Sequence, residues 1–166
     1  MILTGNEIEK EIIKGNIIVE PFIKDNMNPN SYNYRLGNIL KEIFYDKNGN
    51  QNVKEIVIPE EGYLLKKECF YLGNTFEKIG SKKYSMRLIG RSSIGRYGLF
   101  LQISADLGHV GSCHCWTLEI IPLQNILVYP LMKIGQVSFW ENFGEIDLYN
   151  GYYGNFSEPT ISKGDF

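Results

Sequence analysis

The sequence predicts a mostly β domain that begins with one short helix. Apolar residues at helical spacing occur near the N-terminus, and short β-branched and aromatic runs follow them along the rest of the chain. Clusters of Asp, Asn, Gly and Pro separate many of these runs, notably at 46–50 and 59–62. Short apolar runs bounded by turn residues are typical of antiparallel sheets, and 166 residues suffice for one domain with a sizeable core.

The predicted helix lies between Thr4 and Gly15. Thr4 and Glu7 have the spacing of a capping box, in which both side chains accept hydrogen bonds from free backbone N–H groups. Ile8 and Ile12 follow at helical spacing, and Gly15 ends the pattern.

Nine runs are predicted to form strands. They comprise residues 17–19, 32–36, 56–58, 63–65, 69–72, 84–88, 99–103, 115–121 and 136–140. In the run 115–121, strand alternation puts Trp116 and Leu118 on one face and Thr117 and Glu119 on the other.

Charge and targeting signals narrow the class of protein. Seventeen Lys and Arg residues against nineteen Asp and Glu residues leave a net charge near zero, which disfavours nucleic-acid and membrane-surface partners. No signal peptide and no membrane-spanning run is present. Cys69, Cys113 and Cys115 are too few and too unevenly spaced for a disulfide framework, so we expect a cytoplasmic protein.

The segment from Gly90 to Gly98 is dense in groups that bind anions. Arg91 and Arg96 supply planar guanidinium groups, and Ser92 and Ser93 supply hydroxyls between glycine-flanked turns. Such groups can together grip a phosphate. Taken alone, the segment is equally compatible with a solvated turn.

Glu119 is a carboxylate within an otherwise apolar strand run. Removing a charge from water is costly, so a carboxylate there needs a partner or a chemical task. One interpretation is a core salt bridge to Arg91 or Arg96. The other is a general acid/base that works near neutral pH because burial favours the protonated form of a carboxylate.

Eight short segments occur in an order and spacing that match one known family. They are residues 1–4, 15–17, 21–22, 28–37, 90–99, 105–119, 130–135 and 159–163. Together they resemble the dCTP deaminases of the trimeric dUTPase superfamily. The resemblance covers nearly the whole chain and implies a distorted antiparallel β-barrel or jelly roll of the dUTPase-like type.

The resemblance implies hydrolytic deamination of a cytosine deoxynucleotide, by default dCTP to dUTP and ammonia. It makes Glu119 the general acid/base, with Ser92, Arg96 and the backbone carbonyl of Ala105 positioning the attacking water and the pyrimidine. It implies no protein-bound metal, only Mg²⁺ accompanying the triphosphate. The sequence agrees, because it lacks the His-x-Glu and Pro-Cys-x-x-Cys pair of zinc deaminases.

The resemblance also implies how substrate is held and how subunits assemble. It assigns substrate contacts to Arg91, Ser92, Ser93, Arg96, Thr117 and Tyr149. Arg91 and the two serines would hold the phosphate chain, Thr117 would lie near the base, and Tyr149 would contact a phosphate. We expect one domain, residues 1–166, in a homotrimer with sites at subunit junctions. Residues 149–166, rich in aromatic residues including Phe166, would form an arm that closes over the site.

Four positions depart from the family pattern. His109 stands where the family has an aspartate near the deoxyribose hydroxyl, although imidazole can still bind a hydroxyl. Leu107 replaces an arginine, and Tyr152 and Phe156 replace a lysine and a glutamine. These changes together predict an altered nucleotide preference, and His109 in place of aspartate disfavours a dUTPase-like diphosphatase. A non-catalytic nucleotide-binding or regulatory protein remains an alternative.

The cluster His109, Cys113, His114 and Cys115 contains residue types that bind zinc. On a strand, however, Cys113 and Cys115 point to one face and His114 to the other, which suits tetrahedral coordination poorly. We therefore expect no metal site.

Overall fold

Two antiparallel sheets dominate the computed structural model, which describes residues 1–102 and 105–164. The helices are α1 Gly5–Ile13 and α2 Ser92–Arg96, with 3₁₀ turns at Lys24–Asn26 and Tyr152–Asn155. The strands are β1 Ile17–Glu20, β2 Met27–Asn28, β3 Ser31–Arg35, β4 Ile39–Tyr45, β5 Gln51–Val57, β6 Tyr63–Leu65, β7 Phe70–Ser81, β8 Tyr84–Gly90, β9 Leu99–Leu101, β10 Leu107–Gly108, β11 Cys113–Pro122, β12 Ile126–Val128 and β13 Lys133–Glu141. Within the described ranges, no helix is long and apolar enough to cross a bilayer.

The sheets enclose one apolar core. The first has the order β5-β4-β7-β11-β9, with β1 also paired to β7, and the second has the order β10-β8-β13-β3-β2. Strands β12 and β6 form a separate ribbon. Leu118 and Ile120 of the first sheet and Tyr34, Met86 and Phe139 of the second are fully buried in the same cluster. The mostly β prediction is confirmed.

The N-terminal helix is confirmed, but its predicted capping box is not. Helix α1 begins at Gly5, and Ile8 N–H donates to the backbone carbonyl of Thr4 at 2.9 Å. The Thr4 side chain makes no capping hydrogen bond, so that part of the prediction was wrong. Gly15 follows the helix with φ of +75°, a conformation that favours glycine.

Strand β7 is much longer than the predicted run 69–72. Beyond residue 72 the strand includes Glu77, which has no exposed surface. Its burial is possible because it accepts from Arg35 Nε at 2.6 Å and from Arg35 N–H at 2.8 Å. Strand β4 was missed because its alternation is broken by Lys41 and Glu42, yet β5 and β7 flank it on both edges. Tertiary pairing thus decided both strands. Ile103, part of the predicted run 99–103, lies outside the described residues.

Candidate active site

A cavity of about 510 Å³ lies beside strand β11. Glu119 and Thr117 line its β11 wall, Gln102 and Ala105 line another part, and residues 149–162 contribute further side chains. Cavities of roughly 300–1,000 Å³ are typical of small-molecule sites. Of the site residues predicted from the sequence, this cavity brings together Ala105, His109, Thr117, Glu119 and Tyr149.

Strand alternation presents Glu119 to the cavity. Its neighbours Leu118 and Ile120 have no exposed surface, whereas Glu119 is half-buried. This part of the alternation prediction is confirmed. It fails at Trp116, because a bulge between Cys115 and Thr117 shifts the register against β7. Trp116 and Thr117 consequently both line the cavity.

Gln102 is hydrogen-bonded to both Glu119 and Ala105. Its N–H donates to the Glu119 carbonyl at 3.1 Å, and its side-chain Oε1 accepts from Glu119 N–H at 2.7 Å. Its Nε2 donates to the Ala105 carbonyl at 3.2 Å. From the sequence, Gln102 was predicted only as part of the strand run 99–103. An amide at the end of an apolar run, three residues before Ala105, was the signal available.

The arginine-serine segment does not line this cavity. Helix α2 leaves Ser92, Ser93 and Arg96 exposed, while Arg91 Nη1 donates to the Lys133 carbonyl at 3.2 Å. No lysine or arginine is among the described residues that line the cavity. Within one chain, Ser92 and Arg96, predicted as catalytic residues, are therefore separate from Glu119 and Ala105. Arg91 and Ser93, predicted to bind phosphate, do not line the cavity either.

Residues 149–164 are called the C-terminal segment, and several of them line the cavity. Tyr149 N–H donates to the Val110 carbonyl at 2.8 Å, and the Tyr149 ring stacks on His109 with centroids 5.4 Å apart. Thr160 N–H donates to Thr117 Oγ1 at 3.2 Å. The segment therefore packs beside the cavity of its own chain. Phe166, counted with the predicted arm, lies outside the described residues.

The positions that differ from the family pattern also lie at or next to this cavity. Leu107 and His109 line it directly, and so does Phe156. Tyr152 packs edge-on against Phe156, with centroids 4.8 Å apart. The departures from the family pattern are therefore concentrated where they can affect ligand choice.

The histidine and cysteines of strand β11 pack within the sheet. His114 is buried and stacks on Trp116 at 4.3 Å, and its Nδ1 lies 2.9 Å from the Cys115 carbonyl oxygen. Burial lowers the pKa of His114, although the Cys115 and Phe156 carbonyls oppose that shift. Burial raises the pKa of the Cys113 and Cys115 thiols. Among the described residues, no group of three or more His, Cys, Asp or Glu is arranged to hold a metal ion.

The fold and cavity together define the class of protein. Two antiparallel sheets share one core, and a ligand-sized cavity is lined by a carboxylate and by residues of the C-terminal segment. A crystal structure of 2′-deoxycytidine 5′-triphosphate deaminase from Agrobacterium tumefaciens matches this fold with a TM-score of 0.68 and 21% identity. The match covers 83% of this chain and 47% of that one. The predicted dUTPase-like fold is confirmed.

Sequence comparison then gives the family. The dCTP deaminase-like family model matches residues 2–142. A Clostridium botulinum protein named "dCTP deaminase, dUMP-forming" is 43% identical over 172 residues, covering 100% of this chain and 99% of the relative. A Cytophaga hutchinsonii protein of the same name is 41% identical over 174 residues, with the same coverage. The chain belongs to the dCTP deaminase-like family, as its motifs predicted.

Proposed function

We propose that this protein deaminates dCTP hydrolytically, with Glu119 as the general acid/base. The observation that carries the proposal is the half-buried Glu119 on the wall of a ligand-sized cavity, linked through Gln102 to the Ala105 carbonyl. A carboxylate on the wall of a cavity can exchange protons with a ligand bound there. The names of the full-length relatives support the same reaction.

In the proposed reaction, Glu119 takes a proton from water as the water oxygen forms a bond to C4 of cytosine. Glu119 passes that proton to N3, which gives a tetrahedral centre at C4. The second water proton then moves to the amino group, the C4–N4 bond breaks, and ammonia leaves. The remaining base is uracil. One carboxylate serves both proton transfers, which explains why a single glutamate suffices.

We propose that the complete site forms between subunits of a homotrimer. A triphosphate needs cationic partners, but the cavity of one chain has no lysine or arginine in its described lining. Helix α2 exposes Arg96 with Ser92 and Ser93, and Arg91 lies next to them. A neighbouring chain would supply these groups to the cavity. Mg²⁺ would arrive with the triphosphate, as part of the substrate.

We further propose that the reaction continues to dUMP and pyrophosphate. The dUMP-forming names of relatives that are 41–43% identical over the whole chain favour this product. His109 in place of the family's aspartate favours dUTP as the final product instead. The two products differ by one hydrolysis, in which a second water bonds to the α-phosphorus of dUTP and the bond to the α–β bridging oxygen breaks, releasing pyrophosphate. A direct assay of pyrophosphate distinguishes the two products.

The test incubates the protein with dCTP, dCMP, CTP or dUTP and measures ammonia, pyrophosphate and nucleotide binding. Ammonia from dCTP that disappears in Glu119→Gln supports deamination. Glu55→Gln, an exposed glutamate on strand β5, is the matched control and should retain activity. Binding without ammonia from any cytosine nucleotide would indicate the regulatory alternative. Ammonia without pyrophosphate would make dUTP the final product.

A further inference from the structure

We infer that Gln102 is a positioning residue, which fixes Glu119 relative to the backbone carbonyl of Ala105. This inference rests on the proposed deamination, because it concerns the two groups proposed to hold the reacting water. Gln102 is 7% exposed and lines the cavity that Glu119 and Ala105 also line. It is therefore a buried amide placed between two parts of the site.

The hydrogen bonds of Gln102 restrain both partners. Its backbone N–H and its side-chain Oε1 bind the carbonyl and the N–H of Glu119, at 3.1 and 2.7 Å. This pair of contacts holds the main chain from which the carboxylate extends. Ile120 pairs with Leu101, the last residue of strand β9, so the two bonds between Gln102 and Glu119 extend this strand pairing by one residue.

The third hydrogen bond sets the Ala105 carbonyl. Gln102 Nε2 donates to that oxygen at 3.2 Å. A carbonyl oxygen has two lone pairs, so this bond leaves one acceptor position for a ligand or a water. Binding the Glu119 N–H and the Ala105 carbonyl together requires a side chain that both accepts and donates hydrogen bonds. The amide of Gln102 does both.

The backbone of Gln102 is held in an unfavourable conformation. Its φ is 51°, in the left-handed region that non-glycine residues seldom adopt. Strained residues of this kind persist where surrounding contacts determine them, and they occur often at functional sites. Here the left-handed residue directs the chain out of strand β9 while its amide stays bonded to Glu119.

The experiment compares Gln102→Met, Gln102→Glu and the wild-type protein in steady-state deamination of dCTP. Methionine has similar length and forms neither side-chain bond. Glutamate keeps an acceptor for Glu119 N–H but, when ionised, cannot donate to Ala105. Gln136→Glu is the matched control, because the half-buried Gln136 also accepts a hydrogen bond, from Ser31 at 2.8 Å, but does not line the cavity. The stoichiometry of binding of a dUTP analogue with a non-hydrolysable α,β-imido bridge reports the fraction of intact sites.

We expect Gln102→Met to lower kcat at least about tenfold and to change KM less than about threefold, since small displacements of reacting groups reduce rates steeply. Gln102→Glu should recover part of the loss, and Gln136→Glu should retain wild-type kcat. A Gln102→Met kcat within about twofold of wild type would overturn the inference. So would a kcat loss matched by an equal loss of binding sites. If Gln102→Met does not fold, a wild-type kcat in Gln102→Glu would overturn it. Absence of ammonia from the wild type would instead refute the proposed function, and the positioning role with it.

Discussion

Sharing of one active site between subunits can be tested by mixing two inactive variants. Glu119→Gln removes the proposed general acid/base from the cavity wall. Arg96→Ala removes an exposed cation of helix α2, outside that cavity. We expect each homotrimer to lose activity by about 100-fold or more, because general acid/base groups and fixed cations each contribute at least that much in many enzymes.

The activity of the mixture follows from the arrangement of the sites. Each site would take Glu119 from one chain and Arg96 from its neighbour. In trimers assembled at random from equal amounts of both variants, half the sites receive an intact Glu119, and half of those receive an intact Arg96. The mixture should therefore regain about a quarter of wild-type activity per site.

The assay unfolds and refolds the two variants together and measures ammonia release from dCTP. Each variant refolded alone, and the two mixed without unfolding, serve as controls. Wild type refolded with Glu119→Gln should give about half the wild-type activity whether or not chains exchange, which calibrates the refolding yield. Co-purification of an untagged variant with an affinity-tagged one demonstrates exchange. A co-refolded mixture no more active than its components, with exchange demonstrated, would refute the shared site.

Three further outcomes follow from contacts of the described residues. Glu11 is buried, and hydrogen bonds from Lys14 and other neighbours lower its pKa to about 2. Glu11→Gln should therefore reduce the free energy of unfolding at pH 7, measured by urea denaturation, by up to about 3 kcal/mol. The difference in stability from wild type should shrink as the pH falls from about 5 towards 2. Thr117→Val removes the acceptor for Thr160 N–H and should speed proteolytic cleavage of the C-terminal segment about fivefold. His109→Ala removes the ring stacked on Tyr149 and should raise KM for dCTP about threefold.

Each of these outcomes has a result that contradicts it. A pH-independent stability difference in Glu11→Gln would mean that its depressed pKa does not stabilise the fold. Glu7→Gln, at an exposed salt bridge with Lys10, is the control and should change stability little. Unchanged proteolysis in Thr117→Val, or unchanged KM in His109→Ala, would show that these contacts do not hold the C-terminal segment.

The sequence predicted the fold where local patterns and core packing agree. The N-terminal helix has both an apolar spacing and a glycine stop, and strand β6 was predicted with its observed bounds. Prediction failed for β4, because its charged residues interrupt the apolar alternation typical of a strand, although pairing with β5 and β7 stabilises it. It also failed at Trp116, because a bulge depends on how two strands pair and has no constant pattern in the sequence of either strand.

By itself, the sequence determined the family, the mostly β fold and the alternation that presents Glu119 away from the core. These features follow from side-chain type and spacing along one chain. Only the tertiary structure revealed Gln102 between Glu119 and Ala105, and only it separated helix α2 from the cavity. The physical reason is that hydrogen bonds between segments and the lining of a cavity depend on how distant strands pack together, which no local pattern encodes.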